Sequence, residues 1–247
     1  MADSRFLSDA LFIGAHPDDG EILAGGLMAR MAEEGGRVIL ADATRGEMGT
    51  RGTPEIRAQE ALDAAAILGV ERTNLGLPDG GIGRDMEASV RAVVQAIREY
   101  KPRLVFTHTG TDHHPDHNAL HDAVKRAFFT SNLGKYDTGQ PRHNPLRLFF
   151  FWSHRTNLPP RVDFIADVSS TWEKKIASLK AHKSQVAGTG FQGPETFLTG
   201  DLFWHRLEAR FAYFGSLINT RFGEPYLSEG TLRMDNPLDF SDVRETR

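Results

Sequence analysis

Short apolar runs alternate along the chain with longer stretches in which apolar residues recur every three or four positions. The short runs are typical of buried strands, and the three-to-four spacing is typical of helices that cover a sheet. Strand-like runs lie at 11–13, 37–41, 73–77, 103–107, 146–152 and 162–166. Helix-like stretches lie at 22–31, 54–68, 86–100, 118–129, 171–181 and 202–215. This alternation predicts an α/β fold built from β-α-β units.

The order of the elements favours one Rossmann-like, doubly wound and mostly parallel sheet. Right-handed crossovers place the first and fourth strands side by side in a core order 3-2-1-4-5, with helices on both faces. Thr53 and Pro54 fit the start of the second helix, and Gly69 fits its end. Because no Pro/Gly/Ser-rich linker divides the chain, we expect one domain over 1–247, with a C-terminal extension over about 226–247.

Composition and charge exclude several classes of function. A formal net charge of -4 provides no basic field for nucleic acid. The chain contains no cysteine, so a metal site would have to use histidine and carboxylate ligands. The first residues carry no apolar signal segment, and no run approaches the ~20 residues of a membrane span. These features predict a cytoplasmic protein without nucleic-acid or membrane partners.

A first polar cluster lies on the turn between the first strand and the first helix. It contains His16, Asp18, Asp19 and Glu21. Ligands usually bind at the carboxyl ends of the strands in such sheets, so this imidazole and these carboxylates form a candidate metal site. The structural alternative is that Asp18 or Asp19 caps the helix and that His16 only packs.

A second polar cluster follows the fourth strand. It contains His114, Asp116 and His117, and five of the ten histidines of the chain fall between 108 and 121. If the first and fourth strands are neighbours, the loops at their carboxyl ends meet. The topology therefore predicts one site formed by two segments that are far apart in sequence.

The residue types in the two clusters suggest a hydrolytic metal centre. Catalytic zinc commonly has three protein ligands and an open fourth position. His16, Asp19 and His117 would supply two imidazoles and one carboxylate. A metal in such a site lowers the pKa of bound water to ~7 and provides a nucleophile at neutral pH. Zn²⁺ is the expected ion, and Fe²⁺ or another divalent metal is the alternative.

Three further residues of the clusters are candidate catalytic groups. Asp18 is suited to accept a proton from the attacking water. A protonated His114 would stabilise an oxyanion, and Asp116 could orient His114 and raise its pKa. Together these roles fit hydrolysis of an amide or an ester.

The two clusters resemble the signature motifs of the PIG-L/LmbE family of zinc-dependent N-deacetylases, at 16–19 with Glu21 and at 114–117. Looser similarity to the bacillithiol biosynthesis branch lies at 44–53, 74–79 and 183–186. The resemblance implies a hydrolase that removes the acetyl group from an N-acetylglucosamine conjugate, most like N-acetylglucosaminyl malate, and releases acetate and a free amine. Another N-acetylated sugar or amide is the alternative substrate. The resemblance also implies a small-molecule amino-sugar partner and a homo-oligomer, since relatives are often hexamers.

The resemblance implies the same roles for the residues of the clusters. By this comparison His16, Asp19 and His117 are the zinc ligands. Asp18 is the general base, and His114 is the oxyanion stabiliser.

Three arginines are candidates for substrate binding. By resemblance, Arg57 lies near the substrate anion and Arg147 lines the pocket. Arg51, in a glycine-rich loop, is a candidate for contact with the same anion. The structural alternatives are a solvated loop charge for Arg51 and an exposed helix residue for Arg57. The branch often has arginine where this chain has His113, which leaves recognition of a malate carboxylate open.

Three other functions are weighed against a deacetylase. A nucleotide-binding module is disfavoured because the first turn lacks G-x-G-x-x-G and presents carboxylates that would repel a pyrophosphate. A non-haem iron oxygenase shares the two-histidine, one-carboxylate ligand set, but it offers no evident task for Asp18 and His114. A metal-storing or purely structural protein would require neither residue.

Overall fold

The computed structural model describes residues 5–153 and 161–233, and a seven-stranded sheet forms its centre. The strands are β1 (Ser8–Gly14), β2 (Val38–Asp42), β3 (Glu71–Asn74), β4 (Pro102–His108), β5 (Arg147–Phe151), β6 (Phe164–Asp167) and β7 (Gly223–Ser228). The helices are α1 (Asp19–Glu33), α2 (Pro54–Leu68), α3 (Met86–Tyr100), α4 (Pro115–Thr130), α5 (Trp172–Ala181) and α6 (Phe203–Ser216), with a 3₁₀ turn at Phe197–Thr199. The strand order is β3-β2-β1-β4-β5-β7-β6.

The core order 3-2-1-4-5 predicted from the sequence is confirmed, and the pairings within it are parallel. The sequence pattern does not predict β7, which is inserted between β5 and β6 and runs antiparallel to both. Gly223, Glu224 and Pro225 at its start interrupt the apolar run by which the other strands are recognised. Because β7 ends at Ser228, the sheet continues past 226, where the C-terminal extension was expected to begin.

Local capping sets the helix boundaries. Thr53 Oγ1 accepts a main-chain hydrogen bond of 3.3 Å at the start of α2, and the helix ends at Gly69, whose φ of 76° suits glycine. The helix α4 begins at Pro115, earlier than predicted, because His114 occupies the N-cap position and accepts the N–H of Asp116.

Two apolar cores cover the two faces of the sheet. Side chains alternate between the faces of a strand, so Phe12 lies in one core while Leu11 and Ile13 lie in the other. The first core is completed by α1, α5 and α6, and the second by α3 and α4. Burial of both faces explains why the central strands are continuous apolar runs without polar alternation.

A buried ionic network ties α1 to the β3 side of the sheet. Glu21 Oε1 is paired with Arg72 Nη1 and lies 3.0 Å from His182 Nε2. Arg72 also makes two hydrogen bonds to Asp42, of 2.7 and 2.8 Å. The network therefore connects α1 with β2, β3 and the end of α5, and it fixes the helix that follows the first polar cluster.

The helices are short relative to a lipid bilayer. The longest helix among the described residues, α4, has 16 residues, whereas a spanning helix needs ~20 predominantly apolar residues. Within 5–153 and 161–233, no helix combines the length and the apolar character needed to cross a membrane.

Candidate metal centre and active site

The two polar clusters meet at the carboxyl edge of the sheet. β1 and β4 are parallel neighbours, with Ile13 beside Thr107. The chain leaves β1 into the segment 15–18 and leaves β4 into 109–114, and each segment leads to the amino end of a helix. The prediction that this topology brings the clusters together is confirmed.

The Asp19 carboxylate lies at the centre of the site. Its Oδ2 is 3.3 Å from His16 Nδ1 and 3.2 Å from His117 Nε2. The same oxygen accepts the main-chain N–H of His16 at 2.8 Å. Asp19 therefore joins the two motifs, and the alternative that it serves as a helix cap does not account for these contacts.

The two distances from Asp19 fit neighbouring ligands of a tetrahedral metal ion. Zinc bonds of about 2.0–2.1 Å separate neighbouring ligand atoms of a tetrahedron by about 3.3 Å. The separations of 3.3 and 3.2 Å from Asp19 Oδ2 to His16 and His117 match that edge. Two imidazoles and a carboxylate, without thiolate, form a donor set that suits Zn²⁺ and also Fe²⁺. These two edges are compatible with one divalent ion at His16, Asp19 and His117. The groups whose ligand atoms all lie within 4.8 Å of one another overlap with this set: His16, His114 and His117; Asp19, His108 and His117; and His16, Asp79 and Asp116.

The pKa values of Asp19 and His117 depend on the contacts between the carboxylates and imidazoles of the site. Burial would raise the pKa of Asp19, but the His117 and His108 imidazoles hold it well below its usual range. Burial likewise opposes charge on His117, yet Asp19 and Asp112 raise its pKa to about 9. A divalent cation that binds these groups has to displace the imidazole protons, so metal binding and protonation compete.

His108 is a site residue to which the sequence analysis assigns no role. Its ring stacks on His117 with 3.9 Å between centroids, and its Nε2 accepts the N–H of Ala15 at 3.1 Å. Burial, reinforced by His117, lowers the pKa of His108 to about 4, so the ring is neutral near pH 7. The ring packs against His117, and its Nε2 also lies 3.4 Å from Asp19 Oδ2, so Asp19, His108 and His117 form a further possible ligand group. A histidine at the last position of a buried strand is the sequence signal that could have identified it.

Asp18 adopts an uncommon backbone conformation in the turn. Its φ of 123° is rare for a residue with a side chain, and at the N-cap of α1 its side chain makes no capping hydrogen bond. The carboxylate lies 3.5 Å from Arg57 Nη2. Burial raises the pKa of Asp18 to about 6, against the opposing charge of Arg57. A carboxylate with a pKa near neutrality is suited to general base catalysis.

Arg57 is buried and not an exposed helix residue, since only 4% of it is accessible. Its Nη1 donates to the carbonyl of Gly46 and its Nη2 to the carbonyl of Pro17, both at 2.8 Å. Arg57 therefore joins the glycine-rich loop after β2 to the turn that carries Asp18. A contact between Arg57 and a substrate anion stays a prediction.

Arg51 is also buried, and its guanidinium holds another segment of the chain. It donates to the carbonyls of Ser184, Phe191 and Pro194 at 2.6, 2.7 and 2.8 Å. These contacts engage Nε and both Nη atoms, so Arg51 is not a solvated loop charge. The geometry supports a role in ordering the segment 184–194, and the predicted anion contact stays untested.

Arg147 does not lie with the other predicted site residues. It is the first residue of β5 and pairs with Leu104 of β4. Four residue steps, or about 13 Å, separate that level of β4 from His108 at the carboxyl edge. The strand register therefore places Arg147 away from the carboxyl edge, and its expected position in the pocket stays a prediction.

His114 and Asp116 contact each other differently from the prediction. The main-chain N–H of Asp116 donates to His114 Nδ1 at 3.2 Å, while the Asp116 carboxylate accepts the N–H of Gly80 at 2.7 Å. Burial lowers the pKa of His114, and the His16 and His117 charges add to this effect. The predicted rise in the pKa of His114 is therefore wrong for this arrangement, because the attraction of Asp116 is outweighed. In the neutral ring Nδ1 is the acceptor, so Nε2 carries the proton.

Comparison with known protein families matches residues 11–128 to the family described as PIG-L: GlcNAc-PI de-N-acetylase. A 1D-myo-inositol 2-acetamido-2-deoxy-alpha-D-glucopyranoside deacetylase from Thermobispora bispora is 32% identical over 57% of each chain. The enzyme of that name from Thermobifida fusca is 29% identical over 77% of this chain and 86% of its own. A probable N-acetyl-alpha-D-glucosaminyl L-malate deacetylase 2 from Bacillus cereus is 28% identical over 71% of this chain and 83% of its own.

Solved structures share the fold over nearly the whole chain. The conserved protein TT1542 from Thermus thermophilus has a TM-score of 0.83 and 33% identity, covering 95% of this chain and 100% of that chain. The N,N'-diacetylchitobiose deacetylase from Pyrococcus horikoshii, at 22% identity, shares the fold with a TM-score of 0.73 over 90% of this chain and 83% of that chain. Together with both signature motifs, the family match shows that the chain carries a PIG-L family domain over residues 11–128.

Proposed function

We propose that this protein removes the N-acetyl group from an N-acetylglucosamine conjugate in a metal-dependent hydrolysis that releases acetate and a free amine. The observation that carries the proposal is that one oxygen of Asp19 lies 3.3 Å from His16 Nδ1 and 3.2 Å from His117 Nε2, and that the His114 ring packs against both imidazoles. The family match and the names of the curated relatives support the same reaction class.

The proposed chemistry assigns the metal one task. Zn²⁺ or another divalent ion, held by His16, Asp19 and His117, would supply a Lewis acid that makes water acidic and polarises the amide carbonyl. Asp18 accepts a proton from the water while the water oxygen attacks the carbonyl carbon of the acetyl group. When the carbon–nitrogen bond breaks, Asp18 returns this proton to the departing amine. The oxygen of the water thus ends in acetate, and the proton that Asp18 accepted ends on the free amine.

His114 is assigned to the acetyl oxygen in this proposal. Its Nδ1 accepts the main-chain N–H of Asp116, so the proton of the neutral ring lies on Nε2. An N–H aimed at a carbonyl oxygen that gains negative charge stabilises the transition state more than the ground state. Asp116 thus acts on His114 through its main chain, which holds the ring and fixes its tautomer.

The proposed natural substrate is N-acetylglucosaminyl malate, as in bacillithiol biosynthesis. Support comes from the three stretches of looser similarity and from the name of the Bacillus cereus relative. Other relatives are named as deacetylases of an inositol conjugate of the same sugar, which makes that compound the second candidate. The guanidinium groups of Arg51 and Arg57 are engaged by main-chain carbonyl groups. His113 is therefore a further candidate for contact with the aglycone. Its side chain is one-third exposed, and its Nδ1 lies 2.7 Å from Asp112 Oδ1.

A substrate comparison tests the proposal. Zinc-loaded protein is incubated with N-acetylglucosaminyl malate, the inositol conjugate and free N-acetylglucosamine, and acetate and amine are both measured. We expect stoichiometric release of the two products, with the highest kcat/KM for the malate conjugate. A preference for the inositol conjugate would reject the malate assignment alone, whereas no acetate from any of the three would reject the deacetylase.

A further inference from the structure

Both predicted imidazole ligands present one ring nitrogen to Asp19 and the other to an outer carboxylate. His117 points Nε2 at Asp19 Oδ2, and its Nδ1 lies 2.9 Å from Asp112 Oδ2. His16 points Nδ1 at the same Asp19 oxygen, and its Nε2 lies 3.1 Å from Asp79 Oδ1. Neither outer aspartate is among the predicted site residues.

We propose that Asp112 and Asp79 are positioning residues, which orient His117 and His16 and select the ring nitrogen that each presents to a divalent metal. The inference rests on the proposed metal-dependent function and extends it to two residues outside the ligand set. It also assigns the ligand atoms: Nε2 of His117 and Nδ1 of His16.

Asp112 is itself rigidly held. Its side chain is 1% exposed, and its Oδ1 accepts the main-chain N–H of His114 at 2.9 Å. The main chain of Asp112 exchanges two hydrogen bonds with the Asn118 side chain, at 2.8 and 2.9 Å. Because Asn118 directly follows His117 on α4, the carboxylate and the imidazole that it contacts are fixed to the same helical turn.

Asp79 comes from a different part of the sheet edge, in the turn after β3. Its Oδ2 accepts the N–H of Met48 at 2.8 Å, and its own N–H donates to Glu47 at 3.0 Å. These contacts join the loops after β2 and β3 and bring a carboxylate over the first motif. Asp116 lies near the same nitrogen of His16, at 3.4 Å, so Asp79 is the closer partner.

The physical effect of such a carboxylate on a metal ligand is well defined. A neutral imidazole binds a metal through one nitrogen and keeps its proton on the other. A hydrogen bond from that proton to a carboxylate fixes the tautomer, stops rotation of the ring and increases the basicity of the ligand nitrogen. Loss of an outer partner of this kind typically weakens metal binding by roughly 10- to 100-fold.

A second cation site is the competing interpretation of the same atoms. His16, Asp79 and Asp116 have ligand atoms within 4.8 Å of one another, close enough to surround an ion. In that arrangement the wild-type protein would bind two ions per chain, and Asp79→Ala would abolish one of them. If Asp79 is a positioning residue, the wild-type protein binds one ion per chain, and Asp79→Ala weakens the binding of that ion.

The test compares Asp112→Ala, Asp112→Asn, Asp79→Ala and Asp79→Asn in the full-length, metal-stripped protein. Asp122→Ala, an exposed aspartate of α4, is the matched control. Zn²⁺ affinity and stoichiometry are measured by competition with a chromophoric chelator. The visible absorption of Co²⁺-loaded protein reports ligand geometry independently of activity.

We expect one ion per wild-type chain and a 10- to 100-fold loss of affinity in each alanine variant, with an altered Co²⁺ spectrum. The asparagine variants should lose several-fold less, because an amide oxygen at the same place can accept the ring N–H, and they keep the test valid if an alanine variant unfolds. Wild-type affinity and spectrum in all four variants, or two ions per wild-type chain, would overturn the inference. A wild-type protein without zinc affinity would instead reject the metal centre of the proposed function.

Discussion

The guanidinium of Arg57 donates hydrogen bonds to two main-chain carbonyls and lies close to the Asp18 carboxylate. If these contacts are its main task, Arg57→Ala should lower kcat on free N-acetylglucosamine and on the malate conjugate by similar factors, of about 10-fold or more. The reason is that Arg57 would hold the turn that positions the Asp18 carboxylate, and Asp18 acts in the same way on both substrates. Steady-state kinetics on both compounds measures the effect, with Arg45→Ala, an exposed arginine of the same loop, as control. A rise in KM confined to the malate conjugate would instead support the anion contact predicted from the sequence.

The residues that could be assigned from sequence are those in short motifs. His16, Asp19 and His117 lie in two compact polar clusters, and the strand order indicates that these clusters meet. The contacts of Arg57 with Pro17 and of Arg51 with Ser184 span 40 and 133 positions, so no local pattern reveals them. Arginine side chains are mostly exposed in folded proteins. Arg51 and Arg57 are exceptions because several main-chain carbonyls accept hydrogen bonds from their guanidinium groups.

At the scale of secondary-structure elements, a buried ion pair joins α1, α5 and β7. Lys175 Nζ lies 2.6 Å from Glu224 Oε1, and both side chains are fully buried. Glu224 also accepts the main-chain N–H groups of Gly26 and Leu27 at 2.8 Å. This carboxylate therefore explains how β7, a strand with weak sequence signals, is held against α1.

Removal of the cation of this pair should be strongly destabilising. Lys175→Met leaves Glu224 charged and unpaired in the core, so we expect a loss of about 3–5 kcal/mol in the free energy of unfolding. The neighbouring exposed pair, Lys174 with Glu33, provides the control, since Lys174→Met should cost less than about 1 kcal/mol. Urea denaturation measures both, and equal small losses would show that Lys175 does not neutralise Glu224.

The network around Glu21 predicts a dependence of stability on pH. Burial would raise the pKa of Glu21, but Arg72 and His182 lower it from 4.5 to about 2. A folded-state pKa below the unfolded value means that Glu21 stabilises the protein above pH ~4.5 and loses this contribution as the pH falls toward ~2. The full difference corresponds to about 3 kcal/mol.

The matched variant for this prediction is Glu21→Gln. Because it removes the titration of Glu21, the difference in unfolding free energy between wild type and variant should shrink as the pH falls from 5 to 3. Burial raises the pKa of Asp42 despite Arg72, and the Glu21 charge adds to this rise, so the variant also alters the opposite contribution of Asp42 and reduces the size of the expected change. A constant difference over this range would contradict the proposed charge state of Glu21.

For the whole molecule, the sequence pattern is sufficient to predict the order of the parallel strands and insufficient to predict the antiparallel strand β7 between β5 and β6. Apolar runs define β1, β2, β4 and β5, because both faces of these strands are covered by helices, whereas the edge strand β3 is polar and partly exposed. β7 pairs by main-chain hydrogen bonds with β5 and β6 and contains glycine and proline, so its place depends on tertiary contacts. The predicted homo-oligomer and cytoplasmic location stay predictions, and light scattering on purified protein checks the first.

The central claim is a divalent metal held by His16, Asp19 and His117 that is required for release of acetate. The most direct measurement is acetate release from N-acetylglucosamine conjugates by metal-stripped protein during titration with Zn²⁺, with bound zinc determined in the same samples. Activity should rise in proportion to bound zinc and level off at one equivalent per chain, and alanine at any of the three ligands should lower bound zinc because a three-ligand site loses much of its affinity with each deletion. Full activity in stripped protein, or one full equivalent of zinc in all three variants, would contradict the account.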